Sequence, residues 1–258
     1  MTISDYQAIT SAQNKQIKTL EKLNSKKYRE ELQQFTVENL VIILDALKSE
    51  HDFEALFVTE EFYSKHLEQV NYLQNNSNCK DFFLINPRIN KIYSNLDTPS
   101  GITAVYNIKE KTLDKSSVVY LNAVSDPGNM GTIMRSALAF GFVNFVLDEN
   151  CVDIYNSKVI SAAKDAIFKL NIIEDKSGAW LKANKLPLYI TSSHNGLDLA
   201  KFKPASAFCL VLGNESHGVD LRIMAIASKA LKIKMSSEIE SLNVATAAAI
   251  LFYELGKK

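Results

Sequence analysis

Asn129 and Arg135 stand six residues apart in SDPGNMGTIMRSALAFGF (residues 125–142), where a Gly/Pro/Asn turn runs into an apolar helix. Asp126-Pro127 suits a helix entry, with Asp as cap and Pro in the first turn. Gly128 and Gly131 let the backbone approach another group closely. A dinucleotide loop would use such glycines, although GNMG lacks the GxGxxG spacing. Arg135 shares a helical face with Thr132 and Ala139. A cation in the first half of a helix gains nothing from the macrodipole. It is therefore either a solvated arginine or one placed to meet an anion.

Two later stretches have comparable chemistry. In FCLVLGNESHGVD (208–220) a buried strand ends at Gly213, followed by Glu215, His217 and Gly218. Glu215 can orient a donor or cap the next helix, and His217 reads as a loop residue. In LKIKMSSEIESLNVATAAAILFYEL (231–255) a short strand leads through a polar loop to a helix. Ser241 and Asn243 stand at the start of that helix, where such residues are ordinary caps. Its alanines, Ala245, Ala247, Ala248 and Ala249, permit close approach of another element, either the sheet or a second subunit.

Each stretch leaves a strand and enters a helix. From residue 117 onwards continuous apolar strands alternate with helices, which predicts a parallel α/β sheet. Strands are expected at residues 117–123, 145–147, 188–191, 208–212 and 230–235, with helices at 129–142, 156–168 and 242–255. In such sheets ligands bind beyond the carboxyl ends of the strands, where these loops lie. The first third reads as helices at 11–23, 26–35, 38–47 and 60–73, with strands at 53–58 and 82–85. Turn residues at Pro99, Ser100 and Gly101 mark a boundary, with ITAVY leading across it.

The chain has 258 residues, enough for two ordinary domains. Lys and Arg number 29, as do Asp and Glu, so any nucleic-acid contact must use a local basic patch. One exists: Lys15, Lys18, Lys22, Lys26, Lys27 and Arg29 fall within fifteen residues, opposed by Glu21 alone. It reads as a solvated helix face or a phosphate-contacting one. Cys79, Cys151 and Cys209 form no CxxC pair, and the four histidines show no metal-ligand spacing. No signal peptide or membrane span is recognisable. A reduced, cytoplasmic protein without a structural metal is expected.

Taken in order, DPGNMGTIMRSALAFG, LVLGNESHG and ESLNVATAAAILFYE resemble the three motifs of the SpoU/TrmH family of RNA 2′-O-ribose methyltransferases, of the SPOUT class. ITSAQNKQIKTLEKLNSKKYRE and FTVENLVIILDAL resemble that family's substrate-binding domain, similar to the ribosomal protein L30e fold. The resemblance implies an L30e-like RNA-binding domain over residues 1–98, a linker and entry strand over 99–115, and an S-adenosylmethionine-binding methyltransferase domain over 116–258. That last domain should contain a deep trefoil knot and form a homodimer. The cofactor should be gripped by backbone around Leu212, Gly213, Ile233, Met235 and Leu242. Asn129, Arg135, Glu215, Ser241 and Asn243 occupy the catalytic and substrate positions. The RNA is expected to be ribosomal, of 23S type, rather than tRNA.

The chemistry so implied is an in-line displacement at a sulfonium carbon by a weakly acidic ribose hydroxyl. Alignment and a fixed cation beside the oxygen would serve it. Arg135 suits the electrostatic role better than that of a base, because a guanidinium holds its proton. Where relatives tend to have Pro, this chain has Lys234. In KVISAAKDAIF (158–168), Asp165 stands where they carry Gly and Ser161 where they are often basic. That segment motivates an alternative, an RNA-binding protein of the same fold with weak or no methyltransferase activity. A third reading, an unrelated nucleotide-binding α/β enzyme, needs a phosphate loop near the first strand, which this chain lacks.

Overall fold

A computed structural model describes residues 3–192, 195–214 and 217–256. The chain divides into two compact units. One comprises Met1–Glu110 with Tyr155–Ser161, the other Lys111–Ile154 with Ala162–Lys258.

The first unit contains β1 (Gln7–Ile9), α1 (Lys15–Lys22), α2 (Lys26–Leu32), β2 (Gln34–Val37), α3 (Leu40–Lys48), β3 (Ala55–Thr59), α4 (Glu60–Lys65), α5 (Leu67–Asn76), β4 (Asp81–Ile85), α6 (Pro87–Tyr93) and β5 (Ile102–Asn107). Its sheet runs β1-β4-β3-β5-β2. The first three strands are parallel, and β5 and β2 are antiparallel to their neighbours. The sheet is therefore mixed. ITAVY does not lead out of this unit but lies inside its sheet, with five successive residues buried. On one face Ile17, Leu20 and Leu23 pack in a cluster with Phe57 and Phe83, whose rings stack 4.7 Å apart in register. Burial of these large apolar side chains stabilises the unit by about 1.5–3 kcal/mol each. The helix expected at 26–35 ends early. Gln33 turns left-handed (φ 52°) and Phe35 enters β2, stacked on Tyr106.

The second unit contains β6 (Val118–Leu121), α7 (Pro127–Ala139), β7 (Asn144–Asp148), α8 (Ser157–Ala163), α9 (Ala166–Lys169), β8 (Asn171–Asp175), α10 (Ala179–Ala183), β9 (Leu188–Thr191), β10 (Leu197–Asp198), β11 (Cys209–Leu212), α11 (Leu221–Ile226), β12 (Lys229–Lys232) and α12 (Val244–Leu255). The first residues of α8 fall in the segment grouped with the first unit. All pairings in the seven-stranded sheet are parallel, in the order β10-β12-β9-β11-β6-β7-β8. The central strands are apolar throughout because helices cover both faces. From β6 the chain builds towards β8, then returns to the other side, and β11 fills the space between β9 and β6. The loops leaving β6, β11 and β12 thus gather at one end of the sheet, as expected for a ligand-binding crevice.

Candidate active site

The loop after β6 is clamped at its base. Asn122 is 8% exposed and donates from Nδ2 to Asp148 Oδ2 at 2.7 Å, while its Oδ1 accepts from Asp220 N at 2.8 Å. Ala123, left-handed at φ 57°, donates its N–H to the Asp148 carboxylate at 3.0 Å. Its carbonyl accepts from Asn214 Nδ2 at 2.9 Å. The ends of β6, β7 and β11 are thereby tied together. A non-glycine residue at positive φ costs about 1–2 kcal/mol and persists because three loops hold it.

Beyond the clamp, Asp126 caps α7, accepting from Asn129 N at 2.7 Å, with Pro127 in the first turn. Met130, Ile133, Met134 and Ala137 bury one side of α7. That leaves Thr132, Arg135 and Ala139 on the exposed side, and Asn129 half-buried near its start.

Asn243 caps α12, its Oδ1 accepting from Ala245 N at 2.9 Å and Thr246 N at 3.3 Å. Its remaining amide donates to Asn129 Oδ1 at 2.9 Å. Residues 114 positions apart in the chain thus join the starts of α7 and α12. The two helices pack along each other, and Ala245 and Ala248 are buried in the contact-bearing face of α12.

A cavity of about 410 Å³ opens beside this junction. Gly213, Ile233, Met235, Ser241 and Leu242 line it, together with Thr191 and Glu240. These come from the loops after β11 and β12 and from the strand end of β9. Leu212 does not line it. Its side chain is core, 1% exposed in β11, and its carbonyl accepts from Asn122 N. Gly213 has no room for a side chain, because a Cβ would fall on the backbone of Gly218 and Val219. The loop closes on itself by paired backbone hydrogen bonds between Asn214 and Gly218, at 2.9 and 3.0 Å. Glu215 lies outside the described residues. Asn129 and Arg135 are not in the cavity wall, although Asn243 adjoins Leu242 and Val244, which are.

No cysteine in the described chain is poised as a nucleophile. Burial pushes the Cys151 thiol up to about 12 and Cys79 up to about 11, so both stay protonated near neutrality. Cys151 donates to the Leu121 carbonyl at 3.3 Å.

On the first unit, Lys15, Lys18, Lys22, Lys26 and Lys27 are exposed along α1 and α2. Lys22 and Lys27 hold their ammonium groups 5.3 and 5.6 Å from the Tyr28 ring centre. Arg29 departs from the expected patch. It is 6% exposed, and its guanidinium donates inward to the Leu23 carbonyl at 2.6 Å, closing the turn between α1 and α2. In KVISAAKDAIF the left-handed position is Lys164 (φ 57°), between α8 and α9, and Asp165 is right-handed. The clamp residues Asn122, Asp148 and Asn214 were not singled out by sequence reading. Each is polar within or just after an apolar strand, which was the available signal.

Residues 14–104 match the MRM3-like substrate binding domain. A relative from Bacillus subtilis (strain 168), named 23S rRNA (guanosine(2553)-2′-O)-methyltransferase RlmP, is 30% identical over 251 residues, covering 96% of this chain and 98% of that protein. The mitochondrial rRNA methyltransferase 3 of Mus musculus is 27% identical, covering 92% of this chain and 70% of its own. The AdoMet complex of the SpoU methyltransferase AviRb from Streptomyces viridochromogenes superposes with a TM-score of 0.84 over 95% of this chain and 98% of that one, at 20% identity, a likeness of fold. With residues 116–253, the span that holds the clamp, the cavity and the α7–α12 junction, matching the model of the SpoU rRNA Methylase family, the chain belongs to that family.

Proposed function

We propose that the protein transfers a methyl group from S-adenosylmethionine to a ribose 2′-hydroxyl of ribosomal RNA, of 23S type. The observation that carries this reading is one cavity lined by residues from the second and third motif loops, beside the Asn129–Asn243 hydrogen bond that joins the third motif to the first. Family membership and the full-length similarity to the Bacillus subtilis enzyme support it.

The cavity fits the cofactor. Ile233, Met235 and Leu242 offer apolar walls for a flat base. Gly213 bares its backbone, and Glu240 on the wall is complementary to a cationic ligand. When bound, S-adenosylmethionine supplies an electrophilic methyl on a sulfonium, with a good leaving group already built in. The chain's own residues must then position the ribose and favour its oxygen as nucleophile. Asn129 and Asn243, fixed by their mutual hydrogen bond and by α12, are placed to hold ribose and phosphate. Ser241 is exposed at the cavity edge and can donate to the same groups. Arg135, exposed on α7, lowers the cost of negative charge on the 2′-oxygen as it approaches. Glu215 has the charge to orient Arg135. The five exposed lysines of α1 and α2 supply phosphate contacts.

In this reading the second unit contains the trefoil knot of its class and pairs as a homodimer. Leu221, Met224, Ile226 and Tyr253, 80, 45, 57 and 52% exposed, are apolar surface for a second copy to cover. Sedimentation at the single-chain mass of 28.8 kDa would refute the dimer. No helix among the described residues is long and apolar enough to cross a membrane.

The test is methyl incorporation. The protein is incubated with labelled S-adenosylmethionine and undermodified total RNA, beside Arg135→Ala. Incorporation should map to one 23S-type ribose and fall by roughly 10²–10³ in the variant, the scale of losing one charge-stabilising group. Cofactor binding without incorporation into any RNA would favour the non-catalytic alternative.

A further inference from the structure

The first unit holds a second cavity, of about 380 Å³, at the carboxyl ends of β3 and β4. Its back wall is Gly101, at φ 82°. A Cβ there would come within 2.9 Å of Phe62 Cβ and 3.0 Å of Thr59 Oγ1, so the backbone lies directly against the ring-bearing residue. Buried polar groups hold it so. The Gly101 N–H donates to Asn90 Oδ1 at 3.1 Å, and its carbonyl accepts from Thr59 N at 2.9 Å. Asn90, 2% exposed, also donates to the Tyr93 hydroxyl at 3.1 Å, which in turn lies 3.1 Å from Thr103 Oγ1. One side wall is aromatic: the Phe62 and His66 rings are 4.4 Å apart and tilted by 34°. The rim bears exposed Lys65 and Lys91 and the exposed carboxylate of Glu61.

We propose that this cavity takes a single unpaired RNA nucleotide. Its base lies against Phe62 and His66, its phosphate meets Lys65 and Lys91, and Glu61 accepts from an exocyclic amine. Aromatic walls suit any base, because every base has a π-face, and a carboxylate acceptor adds preference for an amine-bearing one. Two cations beside an aromatic wall match a nucleotide better than an apolar ligand. The proposal rests on the RNA methyltransferase reading and deepens it. It gives the first unit a point of base recognition in addition to the lysines of α1 and α2, which can read only phosphate.

The test uses full-length protein and unmodified 23S rRNA, irradiated with short-wavelength ultraviolet light, which crosslinks any base in contact with protein, and mapped for crosslinked peptides. Beside it, Phe62→Leu and the double variant Lys65→Ala/Lys91→Ala are assayed for methyl transfer, RNA binding on filters and cofactor binding by calorimetry. Crosslinks should fall in residues 59–66 or 87–91. The KM for RNA should rise about tenfold in each variant, with kcat and cofactor affinity within about twofold of wild type. Unchanged KM with crosslinks only elsewhere overturns the proposal. Should Phe62→Leu melt early, the double variant at exposed positions decides alone. Should the wild type methylate no RNA, the enzymatic reading falls separately. Cavity crosslinks with about tenfold weaker filter binding of the variants would still support the nucleotide site, and their absence would overturn it.

Discussion

Gly213 and Gly218 both stand in the cofactor-side loop, yet they are glycines for different reasons. Gly213 is sterically locked, since a side chain would collide with the Gly218–Val219 backbone. Gly218 is conformationally locked at φ 70°, with open space around it. Gly213→Ala must therefore displace backbone, and should lower cofactor affinity more than tenfold. Gly218→Ala meets only the left-handed penalty of about 1–2 kcal/mol. Calorimetric titration of both variants with S-adenosylmethionine checks the ranking, and equal affinities would refute it. Asn243 separates two roles in the same way. Asn243→Ala removes both the α12 cap, worth about 1 kcal/mol, and the donor to Asn129. Asn243→Ser restores a cap without reaching Asn129. The expected result is a recovered melting temperature with methyl transfer still impaired. Recovery of both would mean that the Asn129 contact is dispensable.

Between elements, the break separating α8 from α9 turns on Lys164, held left-handed without glycine's freedom. Lys164→Gly should relieve about 1–2 kcal/mol of backbone strain, offset in part by the extra freedom glycine gains in the unfolded chain. The unfolding free energy from denaturant titration should rise by a net of less than about 1 kcal/mol, and a fall would show that the lysine side chain contributes more than its backbone costs. Like Gln33, Lys164 is a left-handed break that no glycine or asparagine announces in the sequence. Strong apolar runs announced β9, β11 and α12, and Asp126-Pro127 announced the start of α7. The edge strand β8 was not expected, because NIIED mixes acids and an amide into a half-exposed edge. Nor was β2, whose start follows a left-handed Gln33 with no glycine or asparagine to signal it. Of the site, the motif residues were legible as capping and turn types. The clamp was not, since Asn122 meets Asp148 across 26 residues and Asn214 meets Ala123 across 91, and no short spacing records such pairs. Arg29 misled for a related reason. Its neighbours are solvated lysines, and only the turn between α1 and α2 brings the Leu23 carbonyl to it.

At the scale of the molecule, two units with separate sheets and separate cores imply two unfolding transitions with different chemical sensitivities. The cofactor cavity lies wholly in the second unit, so ligand should stabilise that transition alone, by about 2.7 kcal/mol at a hundred times Kd. The first unit has its own marker in Glu38. Burial raises its carboxyl above the ordinary 4.5, while hydrogen bonds from Ser94 Oγ and Asn95 N pull the other way and only partly compensate. A raised acid binds its proton more tightly when folded. Its contribution is therefore fully present below the unfolded value and is lost as pH rises through the folded one. The first-unit transition should fall in temperature as pH is raised from about 4.5 towards neutrality, beyond any change in the second. Glu38→Gln keeps an acceptor for Asn95 N and turns its amide donor towards Ser94 Oγ, which can accept, but it cannot ionise, so it should flatten that slope while leaving the ligand-dependent transition untouched. Scanning calorimetry of wild type and variant across this pH range, with and without S-adenosylmethionine, reads both units at once. A pH slope identical in the two proteins would remove Glu38 as its source, and a ligand shift spread equally over both transitions would show that the units unfold as one.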